Sequence, residues 1–271
     1  MAKLYSHSKL KTFEQCPCKF KFKYIEKITP EIEGAIESHL GKVVHNTLEW
    51  VYKQAKEKKV LTIEQIIQYY AENWQENYKP EIPIIKTEFT QADYFNKGVQ
   101  FLVDYYNKYT PFQDGTIECE KKVLIELDSD GEYKIQGFID RVVYNLETQQ
   151  YEIHDYKTAN YLPSQDDIDN DRQLALYGIA IKELFGYDKE IILIWHYLAH
   201  NKKIISQRNN EQLQQLKTET IAQIKQIEAT TKFPHYISKL CDWCEYKDIC
   251  PAWNKNIEDK KEKQEELGIF D

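Results

Sequence analysis

The chain has 271 residues, 42% of them hydrophobic and 30% charged, and a formal net charge of −8. This is the composition of a globular protein with a core rather than a disordered or fibrous one, and the acidic balance argues against a protein that coats nucleic acid with its whole surface. The longest apolar run, around Ile191–Trp195, falls far short of the roughly 20 residues that cross a bilayer. With no apolar signal core at the N-terminus, the expectation is a cytoplasmic protein that engages no membrane.

Local charge departs from the global value. Residues 1–27 carry seven lysines against Glu14 and Glu26, interleaved with Tyr5, Phe13, Phe20, Phe22 and Tyr24. Lysines alternating with aromatics suit the phosphates and bases of a single strand, although an amphipathic helix with core aromatics and solvated lysines has the same pattern. Ser38–Lys56 is predicted as a helix from the three- and four-residue recurrence of Leu40, Val44, Leu48 and Val51, and His45 lies on it. Two more helices, Ile63–Tyr78 and Gln91–Tyr109, follow around a break at Pro80 and Pro83 and read as a helical insertion.

The period then changes to two. Ile117–Leu127, Tyr133–Tyr144 and Tyr151–Lys157 are predicted strands, with hairpin turns at Asp128–Gly131 and Asn145–Gln150, hence an antiparallel meander. Asp171–Phe185 is a helix ended by Gly186, Ile191–Leu198 a buried strand, Ile204–Ser206 a short strand and Asn210–Ala229 a last helix before a cysteine-rich close.

Two carboxylates fall together in this scheme. Asp140 lies near the middle of the second strand of the meander, and Asp155 and Lys157, two apart, share a face at the end of the third. A hairpin brings Asp140 beside Asp155, an oxygen site suited to Mg²⁺ or Mn²⁺. The adjacent lysine can orient the attacking water and offset phosphate charge. An Asp-x-Lys alone is commonly a solvated strand edge. Gln173 and Tyr177, four apart on one helix face, and His45, a possible imidazole ligand, add to the pattern.

Gly41-x-x-x-His45, Gly137-x-Ile139-Asp140-Arg141, Asp155-Tyr156-Lys157-Thr158 and Gln173-Leu174-x-x-Tyr177, in this order, resemble the RecB-type branch of the PD-(D/E)XK nucleases over residues 6 to 253. The resemblance implies that His45, Asp140 and Asp155 bind metal, that Lys157 is catalytic, and that Gln173 and Tyr177 assist on the DNA-facing side. Glu120 falls where many such nucleases carry an acid, with Glu118 and Glu126 as competitors for that alignment.

Six cysteines in a cytosolic chain are not expected as disulfides. Cys241-x-x-Cys244 and Cys250 supply three thiolates, one ligand short of a tetrahedral zinc or a cubane cluster. Cys16 is the best candidate for the fourth, with Cys18 two residues away. The AddB-like and CRISPR-associated iron–sulfur exonucleases, which the chain resembles, hold a 4Fe–4S cluster with one cysteine before the nuclease core and three after it. Zinc is the rival ion.

The expected fold is α/β in one domain: a restriction-endonuclease-like mixed sheet flanked by helices. Its expected parts are a helical insertion at about 60–110, a catalytic core at 115–200, an iron–sulfur lobe from residues 1–30 and 232–253, and a charged tail at 254–271. The expected function is a metal-dependent DNA exonuclease acting on single strands or free ends, in recombination, repair or CRISPR adaptation. No separate base-reading module fits in the chain, and the lobe with its lysine-rich start suits the enclosure of a single strand. The alternatives are a DNA-processing subunit of a larger helicase or integrase complex, and a non-catalytic DNA-binding subunit. The chain has no nucleotide-binding Gly-x-x-x-x-Gly-Lys-(Ser/Thr) loop, so any helicase motor is a partner.

Overall fold

The computed structural model of the chain describes residues 3–31 and 34–254, so the expected charged tail falls outside the described residues from position 255 onward. A short strand β1 (Lys3–Tyr5) leads into helices α1 (His7–Gln15) and α2 (Pro17–Phe20) and a π-helical turn, Lys21–Ile25. Three long helices follow, α3 (Ile36–Lys56), α4 (Ile63–Asn77) and α5 (Gln91–Tyr109). Strands β2 (Thr116–Glu126), β3 (Tyr133–Asn145) and β4 (Gln150–Lys157) form the meander. Helices α6 (Gln165–Asp169) and α7 (Gln173–Phe185) carry the chain to β5 (Ile191–Tyr197), β6 (Lys202–Gln207) and α8 (Asn210–Ala229). Among the described residues no helix is long and apolar enough to cross a membrane.

The sheet is six-stranded and mixed. β4 and β5 run parallel, joined through α6 and α7, and the other pairs along β2–β3–β4 and β5–β6 are antiparallel. β2 accompanies β3 along nearly its whole length, from Lys134 to Val143, so β1 and β4 must share the other edge of β3. β1 pairs there with Tyr133–Ile135 and β4 with Arg141–Asn145. Residues 136–140 therefore meet no strand on that edge. Asp155 and Lys157 end β4 beside this gap, at the carboxyl end of a parallel strand, the usual place for ligands in open α/β sheets.

Two apolar cores result. One lies between the sheet, α1, α7 and α8, around Ile139, Ile153, Leu174, Leu193 and Ile224. The other joins α3, α4 and α5 to Tyr156 and Leu198. Capping boxes at Thr62/Gln65, Thr90/Asp93 and Asn209/Gln212 start α4, α5 and α8, each satisfying two backbone donors that the first turn leaves free. The helix expected from Asp171 begins two residues later. Asp171 Oδ1 accepts the Gln173 backbone N–H at 2.8 Å, and such side-chain capture of a backbone donor competes with helix continuation.

A buried polar chain pins β3 to β4 and β5. Arg141, 1% exposed, pairs with Asp114, donates from Nε to the Tyr156 hydroxyl at 2.9 Å and from Nη2 to His154 Nδ1 at 2.8 Å. His154 therefore carries its proton on Nε2, which donates to Glu152 at 2.9 Å, and its Nδ1 also accepts from His196 Nε2 at 2.8 Å. Both imidazoles are neutral. Burial first, then the Arg141 charge, holds His154 well below the usual histidine value; burial, then His154 and Arg141, does the same for His196. In the unfolded chain each takes a proton near pH 6.5. The folded state is thus fully stable above that value and loses stability as pH falls below it, by up to about 1.4 kcal/mol per pH unit for each imidazole. Urea unfolding at pH 7.5 and 5.5 is expected to show this loss. His196→Gln, which keeps a donor but does not titrate, should lose less than wild type, and equal losses would contradict a neutral buried pair.

Candidate active site

The gap on β3 collects the predicted site residues from four elements. Asp140 lies where β3 and β4 part, and its Oδ2 accepts the Tyr156 backbone N–H at 2.9 Å, standing in for a ladder carbonyl. His45 reaches in from α3. A Cβ at Gly41, one turn earlier, would sit 3.3 Å from Thr158 Oγ1, so the glycine lets α3 approach the end of β4. His45 Nε2 donates to the Tyr156 carbonyl at 2.7 Å, which turns Nδ1 toward Asp140 Oδ2 at 3.2 Å. In the neutral tautomer two lone pairs face one another there, an arrangement that calls for a cation between them.

Glu120 completes the ring. One ligand atom each from His45, Glu120 and Asp140 lie within 4.8 Å of one another, the one such group of three or more among the described residues. Two ligands bound at about 2.0–2.2 Å to a common ion lie within about 4.4 Å of each other, so the ring is near coordinating size. Glu120 holds a left-handed backbone, φ +49°, in the middle of β2. A non-glycine residue there costs about 1–3 kcal/mol and is a common mark of functional sites.

Asp155 and Lys157 stand beside the ring and not in it. Asp155 is buried, and its Oδ2 accepts no hydrogen bond of good geometry, with Lys157 Nζ at 2.7 Å as its ion-pair partner. Gln173 bridges the two, donating from Nε2 to Asp155 Oδ1 at 3.0 Å and accepting from Lys157 Nζ at 2.9 Å. Tyr177, one turn on, packs against β3. A Cβ at Gly137 would lie 2.4 Å from its ring, which accounts for glycine at that position.

The electrostatics show crowding of negative charge. Burial first, then the Asp140 charge, raises Asp155 to about 6 against the opposing pull of Lys157. Burial and Asp140 also raise Glu120. Burial alone would lower His45, but its hydrogen bond to Asp140 and the charges of Asp140 and Asp155 carry it up to about 9. The buried Asp155 carboxylate, two further carboxylates and an inward imidazole form a donor set that fits a divalent cation.

The cysteines gather elsewhere. Cys16, Cys18, Cys241, Cys244 and Cys250 line one pocket between the two ends of the described chain. The Cys18 N–H donates to Pro234 O at 3.1 Å, Tyr246 Oη donates to Ile28 O at 3.0 Å, and Lys19 pairs with Glu245 at 2.6 Å. The Ser238 N–H points at Cys241 Sγ at 3.4 Å. No three of the sulfurs close within 4.8 Å of one another. In a tetrahedral zinc site the sulfurs lie about 3.8 Å apart at Zn–S of about 2.3 Å. The donor set fits a sulfur-ligated metal group, and Cys18, which the sequence reading left without a role, faces the same pocket.

The lysine-rich start is less available than its local charge suggests. Lys3 pairs with Glu132 and Glu228, Lys21 with Glu26, and Lys19 and Lys23 with Glu245, while Lys9 sits 3.9 Å over the Tyr5 ring. In the sequence Glu120 stands out less than the carboxylates that accompany it. Its place opposite Asp140 on the neighbouring strand was a usable signal; its left-handed backbone had none.

No curated protein matches the chain. Among solved structures it is similar to that of SSO0001, at 16% identity over 91% of this chain and 96% of that one, with a TM-score of 0.37. The family model of the PD-(D/E)XK nuclease superfamily matches residues 5–251. The chain therefore belongs to the PD-(D/E)XK nuclease superfamily, whose members are metal-dependent nucleases that act on DNA.

Proposed function

We propose that the chain is a RecB-type DNA exonuclease that hydrolyses phosphodiesters of single strands or free ends with Mg²⁺ or Mn²⁺, and that it carries a 4Fe–4S cluster. The observation that carries the hydrolytic part is the convergence of His45, Glu120 and Asp140 on one point, with the Asp155–Lys157–Gln173 triplet beside it. His45, Asp140 and Asp155, with Glu120, would hold the divalent cation, which supplies Lewis acidity toward the scissile phosphate and toward water.

The chain's own groups do the remaining work. The carboxylate of Asp155 and the amide of Gln173 fix Lys157 Nζ, so the ammonium is already oriented to hold water or a phosphate oxygen without reorganising at the moment of reaction. Gln173 cannot rotate freely, because its amide is tied to Asp155 at the other end. The ring of Tyr177 under Gly137 keeps α7 in register with β3, and its hydroxyl faces the Phe138 backbone.

For the cluster, the support is five thiols around one pocket and three at ligand spacing. Cys16, Cys241, Cys244 and Cys250 are the proposed ligands. Binding there would close nearly the whole chain into one loop, and its free energy would count toward folding of both ends. A place beside a helicase or CRISPR adaptation partner, as the trimming subunit, agrees with the absence of a nucleotide-binding loop from the sequence.

End-labelled linear and closed circular DNA, incubated with Mg²⁺ or Mn²⁺, test the reading beside a visible absorption spectrum of anaerobically purified protein. Linear single strands should be shortened from an end and circles spared, with activity lost in Asp140→Asn and Lys157→Met and a coloured, iron-containing protein. Equal attack on circles would overturn end dependence. A colourless, zinc-loaded, active enzyme would overturn the cluster and leave the nuclease reading standing.

A further inference from the structure

The hairpin that bears the carboxylates carries a second, unclaimed row of side chains. Cys119 pairs with Arg141 and Lys121 with Ile139, so Glu120 lies opposite Asp140; one row further along, Lys122 pairs with Phe138. Directly opposed residues share a sheet face, and rows two residues apart lie about 6.8 Å from each other on it. Val123, Ile125 and Ile139 turn into the core, which sends Lys122 and Phe138 to the open face. Phe138 is 53% exposed although it sits in the middle of a 13-residue strand. Lys122 is exposed and makes no ion pair among the described residues. The next row, Leu124 and Gln136, is also open, and the strip closes at the Glu126–Lys134 ion pair.

A single exposed apolar residue is ordinary on a protein surface. This one is placed otherwise. It stands one row from the candidate metal ring, faces a free lysine, and follows Gly137, whose missing Cβ admits Tyr177 beneath the strand. An aromatic face beside a cation fits a base and its phosphate. The exposed ring selects the form of nucleic acid. A base inside a duplex has both faces covered by its neighbours, so only an unstacked nucleotide, as a single strand supplies, can lay its base on Phe138.

Resting on the DNA-hydrolysis reading above, we propose that Phe138 and Lys122 form a binding subsite for the nucleotide next to the scissile phosphate, Phe138 stacking on its base and Lys122 contacting its phosphate, and that this subsite makes the enzyme prefer single-stranded DNA. Neither residue is part of the hydrolytic machinery. Stacking of one base is worth about 1–3 kcal/mol, roughly 5- to 150-fold.

The test is steady-state cleavage of a fluorescent oligothymidylate by wild type, Phe138→Ala, Phe138→Trp, Lys122→Gln and Leu146→Ala, the last an exposed residue in the β3–β4 turn. Phe138→Ala should raise KM within that range with kcat nearly kept, Phe138→Trp should restore it, and Leu146→Ala should match wild type. An oligonucleotide with abasic sites should raise KM for wild type but add nothing to Phe138→Ala. Lys122→Gln should flatten the salt dependence of KM by about 0.7 in log–log slope, one phosphate contact. Thermal unfolding of Phe138→Ala should coincide with wild type, since the side chain is half-exposed. An active wild type whose KM does not change in Phe138→Ala would overturn the subsite alone. A wild type inactive on every DNA substrate would overturn the hydrolytic reading and this proposal with it.

Discussion

The structure turns on the gap at residues 136–140, where β1 and β4 leave the same edge of β3 uncovered. An open sheet edge inside a protein leaves backbone donors and acceptors to be satisfied. Here the Asp140 carboxylate takes the Tyr156 N–H, and the Tyr156 carbonyl takes the proton of His45 Nε2. One peptide of β4 thus orients both a carboxylate and an imidazole through its own two polar groups. The hydrogen bonds that repair the sheet are the ones that aim the candidate ligands.

Negative charge gathers at this gap, and the fold keeps it there at a cost. Glu120 is held in a left-handed backbone, Asp155 is buried, and Asp140 lies between them. Lys157 offsets part of the repulsion from one side, and in the metal-free chain a proton on His45, which a bound cation would displace, does so from another. A divalent cation is the remaining counter-charge that satisfies this donor set. The buried Arg141 network on β3, one residue after Asp140, locks the strand geometry with four polar partners and keeps the position of the carboxylate from drifting.

Much of the fold was legible because the signals were local and repeated. The bounds of α5 and α8 follow from their apolar stripes, and the strands of the meander from alternation and the turn residues between them. β1 was not legible, since three residues establish no period. The order of motifs brought out His45, Asp140, Asp155, Lys157, Gln173 and Tyr177, and the structure gathers them around one gap. Glu120 stood out less because Glu118 and Glu126 offer the same chemistry, and its place opposite Asp140 and its left-handed backbone are what separate it from them. The pairing of the N-terminal lysines was not legible, because Glu228 and Glu245, more than 200 residues away in sequence, meet Lys3, Lys19 and Lys23 only in space. Cys18 shows the same limit: its distance from Cys241 and Cys250 exists only once both ends of the chain are folded together.

The account rests on a divalent cation bound by the ring at the gap, and Mn²⁺ binding followed by electron paramagnetic resonance measures it without reference to catalysis. Wild type should bind Mn²⁺, and Asp140→Asn and Glu120→Gln should each weaken that binding by more than about tenfold, the lower end of what loss of even an outer partner costs a metal site. Unchanged Mn²⁺ affinity in both variants would contradict the account.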